Sequence, residues 1–324
     1  MTQTVRYLSA EDVRAHMPPM AEVIDLAQAT LEEHGKGTTQ MPPKVDLHPQ
    51  GDDFLHAMPA YVPGRRALGM KWIAGYPGNK ERGLPYINGS ILINDPDTGV
   101  PTGILDGSVI TAYRTGACTG VTARLLADPG SEVMTIIGCG VQGRINIEAL
   151  LSVFPDTERM LAYDPDPEQQ AKFADEVMTT FDLASIIPPE PREACEGAHV
   201  IVSSAPIAKD PTPELDHDWL QTNTLCVALD FDSSFTPAAF ERAALVLTDD
   251  LPQFHHYKSV GYFQNVPEPT TDIGALLAAG GNPRPEGEPI ILAVNLGLGV
   301  LDVALGAEVL RRATAAGAGT QLPL

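Results

Sequence analysis

Val133-Met-Thr-Ile-Ile-Gly-Cys-Gly-Val-Gln-Gly143, followed by Arg159-Met-Leu-Ala-Tyr-Asp164, is the stretch that decides the fold of this chain. Its opening apolar run is too short for a helix and suits a strand buried on both faces. Gly138-x-Gly140-x-x-Gly143 follows directly, and Gln142 to Phe154 then carries Ile145, Ile147, Leu150 and Leu151 at helical spacing. Strand, glycine loop and helix in that order make the phosphate-binding turn of dinucleotide-binding domains. Gly138 is expected to allow the tight turn, Gly140 the approach of backbone to a pyrophosphate, and Gly143 the packing of helix on strand. The helix N-terminus, opening with Gln142 just after Val141, would face the phosphates. The plainer alternative is a tight strand-to-helix connection that binds nothing. The acid at the end of the next strand argues for a ligand, because it falls at the distance the motif predicts, about 20 residues on. Asp164 can accept from both ribose hydroxyls and would repel a 2'-phosphate, which favours NAD(H) over NADP(H). Its bland reading is a turn residue in Asp164-Pro-Asp166.

Working outward, His199 to Ser204, Thr224 to Asp230 and Ala244 to Thr248 repeat the short apolar pattern, and Pro167 to Thr180 repeats the helical one. The expected fold class is therefore α/β, with a Rossmann-type doubly wound dinucleotide-binding domain over 126–291. Residues 1–125 read differently. Two amphipathic helices, Ser9 to Met17 and Pro19 to His34, precede strand-like runs around Val45, His56, Lys71 and Ile91, and Asn94-Asp-Pro-Asp-Thr-Gly99 has the chemistry of a hairpin turn. Thr111 to Ala127 reads as a helix leading into the nucleotide domain. The long helix expected over Asn295 to Ala315 would return to this first part, giving a mixed α+β domain made of 1–125 with 292–324.

Composition closes off other classes. The 324 residues exceed the roughly 250 to 300 at which one core stops growing, and 44% are apolar, so a folded chain of two domains or one elaborated domain is expected. No apolar stretch approaches the roughly 18 residues of a membrane span, and a cytoplasmic protein with no membrane role is the default. The net charge of -21 would repel phosphate backbones, which speaks against nucleic-acid partners. Cys118, Cys139, Cys195 and Cys226 form no C-x-x-C pair, and the histidines show no ligand spacing, so buried thiols and no structural metal are expected.

In so acidic a chain, Lys44, Lys71 and Arg114 lie in apolar or Pro-rich surroundings. Lys71 is bracketed by Leu68, Met70, Trp72 and Ile73, so its ammonium needs a partner. Arg114 has the planar fork that suits a carboxylate bidentately. These residues either hold a substrate anion or pair with buried acids such as Asp95 or Asp106.

Met58-Pro-Ala60, Gly69-Met-Lys71, Asp95 to Gly99, Thr111-Ala-x-Arg114-Thr-Gly-Ala117, Gly138-x-Gly140-x-Gln142-Gly143 and Asn295-Leu-Gly-Leu-Gly-x-x-Asp302 resemble, in order, the ornithine cyclodeaminase and mu-crystallin family. The resemblance spans nearly the whole chain, and it implies that the mixed α+β domain is the substrate-binding and dimerisation domain. It implies a homodimeric NAD(H)-dependent enzyme working at Cα of an amino or imino acid: an amino-acid dehydrogenase or an imine reductase, a cyclodeaminase that recycles its NAD+, or a non-enzymatic nicotinamide-binding protein. It makes Lys71 and Arg114 carboxylate-binding groups, with Lys71 also a proton donor, and places Lys44 where the family often has an arginine. Asp230 stands where the acid-base aspartate is expected, with Asp232 a close competitor. His56 occupies the place where ornithine cyclodeaminases carry the acid that holds the distal amine, and Asp230-Phe-Asp-Ser-Ser-Phe235 replaces their Pro-Gly-Lys-like loop. Both departures point away from ornithine, and the loss of the distal-amine acid favours net redox chemistry. Thr115, Ser204 and Ala205 complete the expected cofactor-binding set.

Overall fold

The structure, a computed structural model, describes residues 3–324. It divides into two compact units, one formed by the residues up to Arg114 with Gly297–Leu324, the other by Thr115–Leu296. The first begins with β1 (Thr4–Leu8), α1 (Ala10–Ala15) and α2 (Met20–Gly35), followed by β2 (Val45–Leu47), β3 (Phe54–Val62), β4 (Ala67–Gly75), β5 (Ile87–Asn94) and β6 (Pro101–Asp106). Helix α3 (Gly107–Leu126) carries the chain onward, and the division falls within it. The second unit contains β7 (Val133–Ile137), α4 (Val141–Val153), β8 (Arg159–Tyr163), α5 (Pro167–Phe181), β9 (Ala184–Ile186), α6 (Pro191–Cys195), β10 (Val200–Ser203) and β11 (Leu225–Ala228). It continues with α7 (Pro237–Arg242), β12 (Leu245–Thr248), α8 (Leu251–Ser259), β13 (Thr271–Asp272), α9 (Ile273–Ala279) and β14 (Ile291–Val294). Helix α10 (Gly299–Ala315) and β15 (Thr320–Pro323) belong again to the first unit.

Seven strands form the sheet of the first unit, in the order β15-β1-β6-β5-β4-β3-β2. From β2 to β6 it is an antiparallel meander. Asp95 makes the β5–β6 turn by accepting from the backbone of Asp97 and Thr98, which is the hairpin the turn residues predict. Across the sheet Leu8, Leu105, Ile91, Lys71 and Met58 stand side by side in register, so they share one face. That face is covered by α10, which packs on β3, β4 and β5. Val300, Leu301, Leu305 and Val309 of α10 are fully buried, each contributing on the order of 2 kcal/mol.

The second unit holds an all-parallel sheet in the order β13-β12-β14-β11-β10-β7-β8-β9. The five strands expected from the sequence are present. The sheet also takes in β14, which lies between β11 and β12. Ile291-Leu-Ala-Val294 is therefore central in this sheet, whereas the boundary at 291/292 expected from the sequence assigns most of it to the other domain. The Gly- and Pro-rich stretch before it marks a long connection, not a change of unit. The other boundary, expected at 125/126, falls after Arg114 instead. Ile201, Cys226, Leu292, Phe240, Phe254 and Phe263 belong to the core of this unit. All four cysteines are buried free thiols.

Candidate active site

The glycine loop sits at the reversal of strand order, between β7 and its neighbours β8 and β10, where doubly wound sheets bind ligands. Gly138 adopts φ +94°, and a Cβ there would come within 2.9 Å of the Ser204 backbone. Only glycine fits this turn. A Cβ on Gly143 would meet the Gly138 carbonyl oxygen at 2.6 Å, so α4 lies directly against the loop. Around Gly140, by contrast, nothing approaches a Cβ within 4 Å, and this residue N-caps α4 without a side-chain hydrogen bond. The first N–H groups of α4 therefore have no side-chain cap at a point with room for a phosphate. Val141 is exposed at this helix start, and Gln142 accepts through its carbonyl from Asn146. Arg144, to which the motif assigns no role, donates to the Cys139 and Gly140 carbonyls at 2.8 and 3.0 Å and braces the loop. Its one signal in the sequence is a cation just after the third glycine.

Asp164 is buried at the end of β8 and accepts from Cys139 N–H at 2.8 Å, Asp166 N–H at 2.9 Å and Gln169 Nε2 at 3.0 Å. It is thus more than a solvated turn residue. Its carboxylate is also bound to the glycine loop itself, through Cys139 N–H. Ser204, after β10, donates to the Gly138 carbonyl at 3.0 Å. Ala205 N–H donates to Asp230, which also accepts from Ser203 Oγ at 2.7 Å and Ser234 Oγ at 2.6 Å. Asp230 is fully buried, and burial raises its pKa against the opposing effect of these donors. Asp232 accepts from Phe263 N–H, and burial raises its pKa as well. The two carboxylates thus have different duties: Asp230 joins the ends of β10 and β11, while Asp232 fastens the segment after α8. Thr115, in α3, is buried.

In the first unit, Lys71 and Arg114 converge on Asp302, the last residue of the Asn295–Asp302 motif. Lys71 Nζ lies 2.7 Å from one of its oxygens and Arg114 Nε 3.0 Å from the other. Lys71 and Asp302 are 1% and 0% exposed, and Lys44 and Arg114 are buried too. The counter-charge is thus Asp302, not Asp95 or Asp106. Asp95 is occupied in its turn, and Asp106 accepts from Val109 N–H at the start of α3. Gly297, at φ +83°, lets the guanidinium lie close: a Cβ there would clash with an Arg114 terminal nitrogen. Burial, then the positive charges of Arg114 and Lys44, push the pKa of Lys71 down to about 7, while Asp302 pulls it up. While Lys71 is protonated, two cations share one buried carboxylate and leave a positive charge that suits an anion.

His56 and Asp46 are paired across β2 and β3, on the sheet face that also carries Met58 and Lys71. His56 Nε2 lies 3.3 Å from Asp46 Oδ1, and the ring stacks on Phe54 at 4.4 Å between centroids. From the sequence, His56 stands in place of an acid. An acid lies beside it nevertheless. Among the described residues no group of three or more His, Cys, Asp and Glu could hold a metal ion, and no helix is long and apolar enough to cross a membrane.

The model of the ornithine cyclodeaminase/mu-crystallin family matches residues 4–317. This chain belongs to that family. The nodulation efficiency protein NfeD of Rhizobium meliloti is 31% identical over 99% of both chains. Among solved structures, the Δ1-pyrroline-2-carboxylate reductase of Thermococcus litoralis, in complex with NADH and L-proline, superposes with a TM-score of 0.87 at 26% identity, covering 98% of this chain and 99% of that one. An archaeal alanine dehydrogenase dimer with bound NAD gives the same TM-score at 27% identity, over 99% and 100%. Family relatives thus include NAD-dependent dehydrogenases and imine reductases, and a lysine cyclodeaminase is 25% identical with a TM-score of 0.86 over 99% of this chain and 96% of that one; the α/β fold with its parallel sheet is theirs.

Proposed function

We infer that this chain is an NAD(H)-dependent oxidoreductase acting at Cα of an amino or imino acid, as an amino-acid dehydrogenase or an imine reductase. The observation that carries the reading is the buried pair of cations, Lys71 and Arg114, gathered on the single carboxylate of Asp302. Their surplus positive charge suits the carboxylate of an amino acid, and the Arg114 fork would fix its plane. Holding the carboxylate fixes Cα and the nitrogen beside it. Lys71, with its pKa lowered to about 7, can give or take a proton at that nitrogen near neutral pH. Lys44 adds positive charge to the same cluster.

The second unit fits a dinucleotide: an open position at Gly140, an α4 start without side-chain cap, and the Asp164 carboxylate on the loop. Gly138, Gly140, Val141, Gln142 and Gly143 would cradle the pyrophosphate, Asp164 the adenosine ribose, and Thr115, Ser204 and Ala205 complete the cofactor set. The bound nicotinamide supplies or accepts the hydride. Asp230 anchors the Ser203–Ala205 segment. We assign the proton to Lys71. A second reading, cyclodeamination with recycled NAD+, draws support from Asp46, an acid on the same sheet face as Lys71. His56 already holds that carboxylate, so the redox reading stands first.

Incubating the protein with amino acids and cyclic imino acids while following reduced nicotinamide and ammonia tests both. Net nicotinamide turnover is expected. Ammonia release without net change would establish cyclodeamination, and neither signal across the panel would refute an enzymatic role.

A further inference from the structure

We propose that Asp302 is the positioning residue of the carboxylate site: it ties Lys71 and Arg114 to one point and supplies the negative charge that keeps a proton on Lys71. This rests on the reading of Lys71 and Arg114 as substrate groups. Asp302 lies in the first turn of α10, where the helix N-terminus favours an anion, and its side chain is fully buried. One oxygen faces Lys71 Nζ and the other Arg114 Nε. Cations from β4 and α3 are thereby referred to a single carboxylate on a third element.

The charges around Lys71 come from each element packed about it. Arg114 of α3 and Lys44, just before β2, disfavour its proton, as does burial, while Asp302 of α10 favours it. Asp46 and His56 stand further along the same sheet face, bound to each other. Asp302 is thus the carboxylate directly bound to Lys71, and the resulting balance leaves Lys71 with a pKa of about 7. A purely structural ion pair matches charge with charge. Here, while Lys71 is protonated, one carboxylate meets two cations, and the surplus charge suits an anion.

The proton on Lys71 can be read without any substrate, from the NMR signals of lysine-labelled protein. The signal missing in Lys71→Met identifies Lys71, and its titration midpoint is the quantity measured. Wild type should titrate near 7. Asp302→Asn should move the midpoint down by about one pH unit or more, the usual effect of losing an opposite charge at this distance. Arg114→Gln, which leaves Asp302 to Lys71 alone, should move it up. A midpoint unchanged by Asp302→Asn overturns the proposal. If that variant does not fold, the smaller Asp302→Ser takes its place, and a midpoint that stays or rises overturns the proposal. Calorimetry with pyrrole-2-carboxylate, a planar carboxylate that cannot take up hydride, separates the two readings: no binding by wild type, with the titrations as expected, would refute the substrate assignment and leave the role of Asp302 standing.

Discussion

Lys71 Nζ lies 2.7 Å from Asp302 in a site where neither side chain reaches solvent, and even so the lysine is held near pH 7 in place of its ordinary 10.5. This depressed pKa couples folding to pH. Between about 7 and 10.5 the unfolded chain keeps a proton that the folded chain has released, so raising the pH favours the fold. Wild type should gain roughly 2–3 kcal/mol relative to Lys71→Met between about pH 7 and 9, since each tenfold change in proton affinity corresponds to about 1.4 kcal/mol. Denaturant titrations of both proteins at the two pH values would measure it. A difference that does not vary with pH would contradict the lowered pKa.

The glycine loop separates a binding requirement from a folding one. Gly140→Ala places its methyl in open space, so the protein should keep its thermal stability and lose NADH affinity by tenfold or more, about 1.4 kcal/mol. Gly143→Ala drives its methyl against the Gly138 carbonyl and should lower the melting temperature as well. Scanning calorimetry and NADH fluorescence titration distinguish the two. Equal effects on both quantities would mean that no phosphate lies at Gly140.

For the cofactor, NADH should bind at least about fivefold more tightly than NADPH, roughly 1 kcal/mol, because a 2'-phosphate would meet the buried Asp164 carboxylate. Asp164→Ser should erase most of that preference. Tighter NADPH binding by the wild type would remove Asp164 from the ribose site.

Asp230→Asn puts an amide among donors that now converge on a carboxylate, from Ser203, Ser234 and Ala205. Turnover is expected to drop roughly a hundredfold together with NADH affinity, because the Ser203–Ala205 segment loses its anchor. Were turnover to fall with NADH affinity intact, Asp230 would be the proton carrier. Turnover lost in Asp232→Asn alone would move that role two residues along the chain.

On the sheet face away from α10, the side chains of Tyr7, Trp72, Val45 and Leu47 are exposed, Trp72 to 44%. So many large apolar side chains on one face fit association with a second copy through it. Light scattering should give twice the mass of one chain, and Trp72→Glu should give a single one. A monomeric wild type at micromolar concentration would refute this.

Whatever depends on neighbours in sequence is legible in the sequence itself. The β7–loop–α4 unit follows from one apolar run and three glycines, because a tight turn into a helix restricts each of those positions through local sterics. The hairpin at Asp95 follows from turn residues in the same way, and Lys71 and Arg114 stand out as cations in apolar surroundings. What they bind does not follow. Asp302 is 188 residues from Arg114, and Asp95 and Asp106, nearer in sequence, look equally acidic. Only the packing of α10 on the meander brings Asp302 to both cations. Likewise β14 enters between β11 and β12, and Asp46 reaches His56 through strand pairing. Periodicity and turn chemistry act over a few residues. Pairing of distant segments is selected by the burial of whole faces, and that is decided only when the chain has folded.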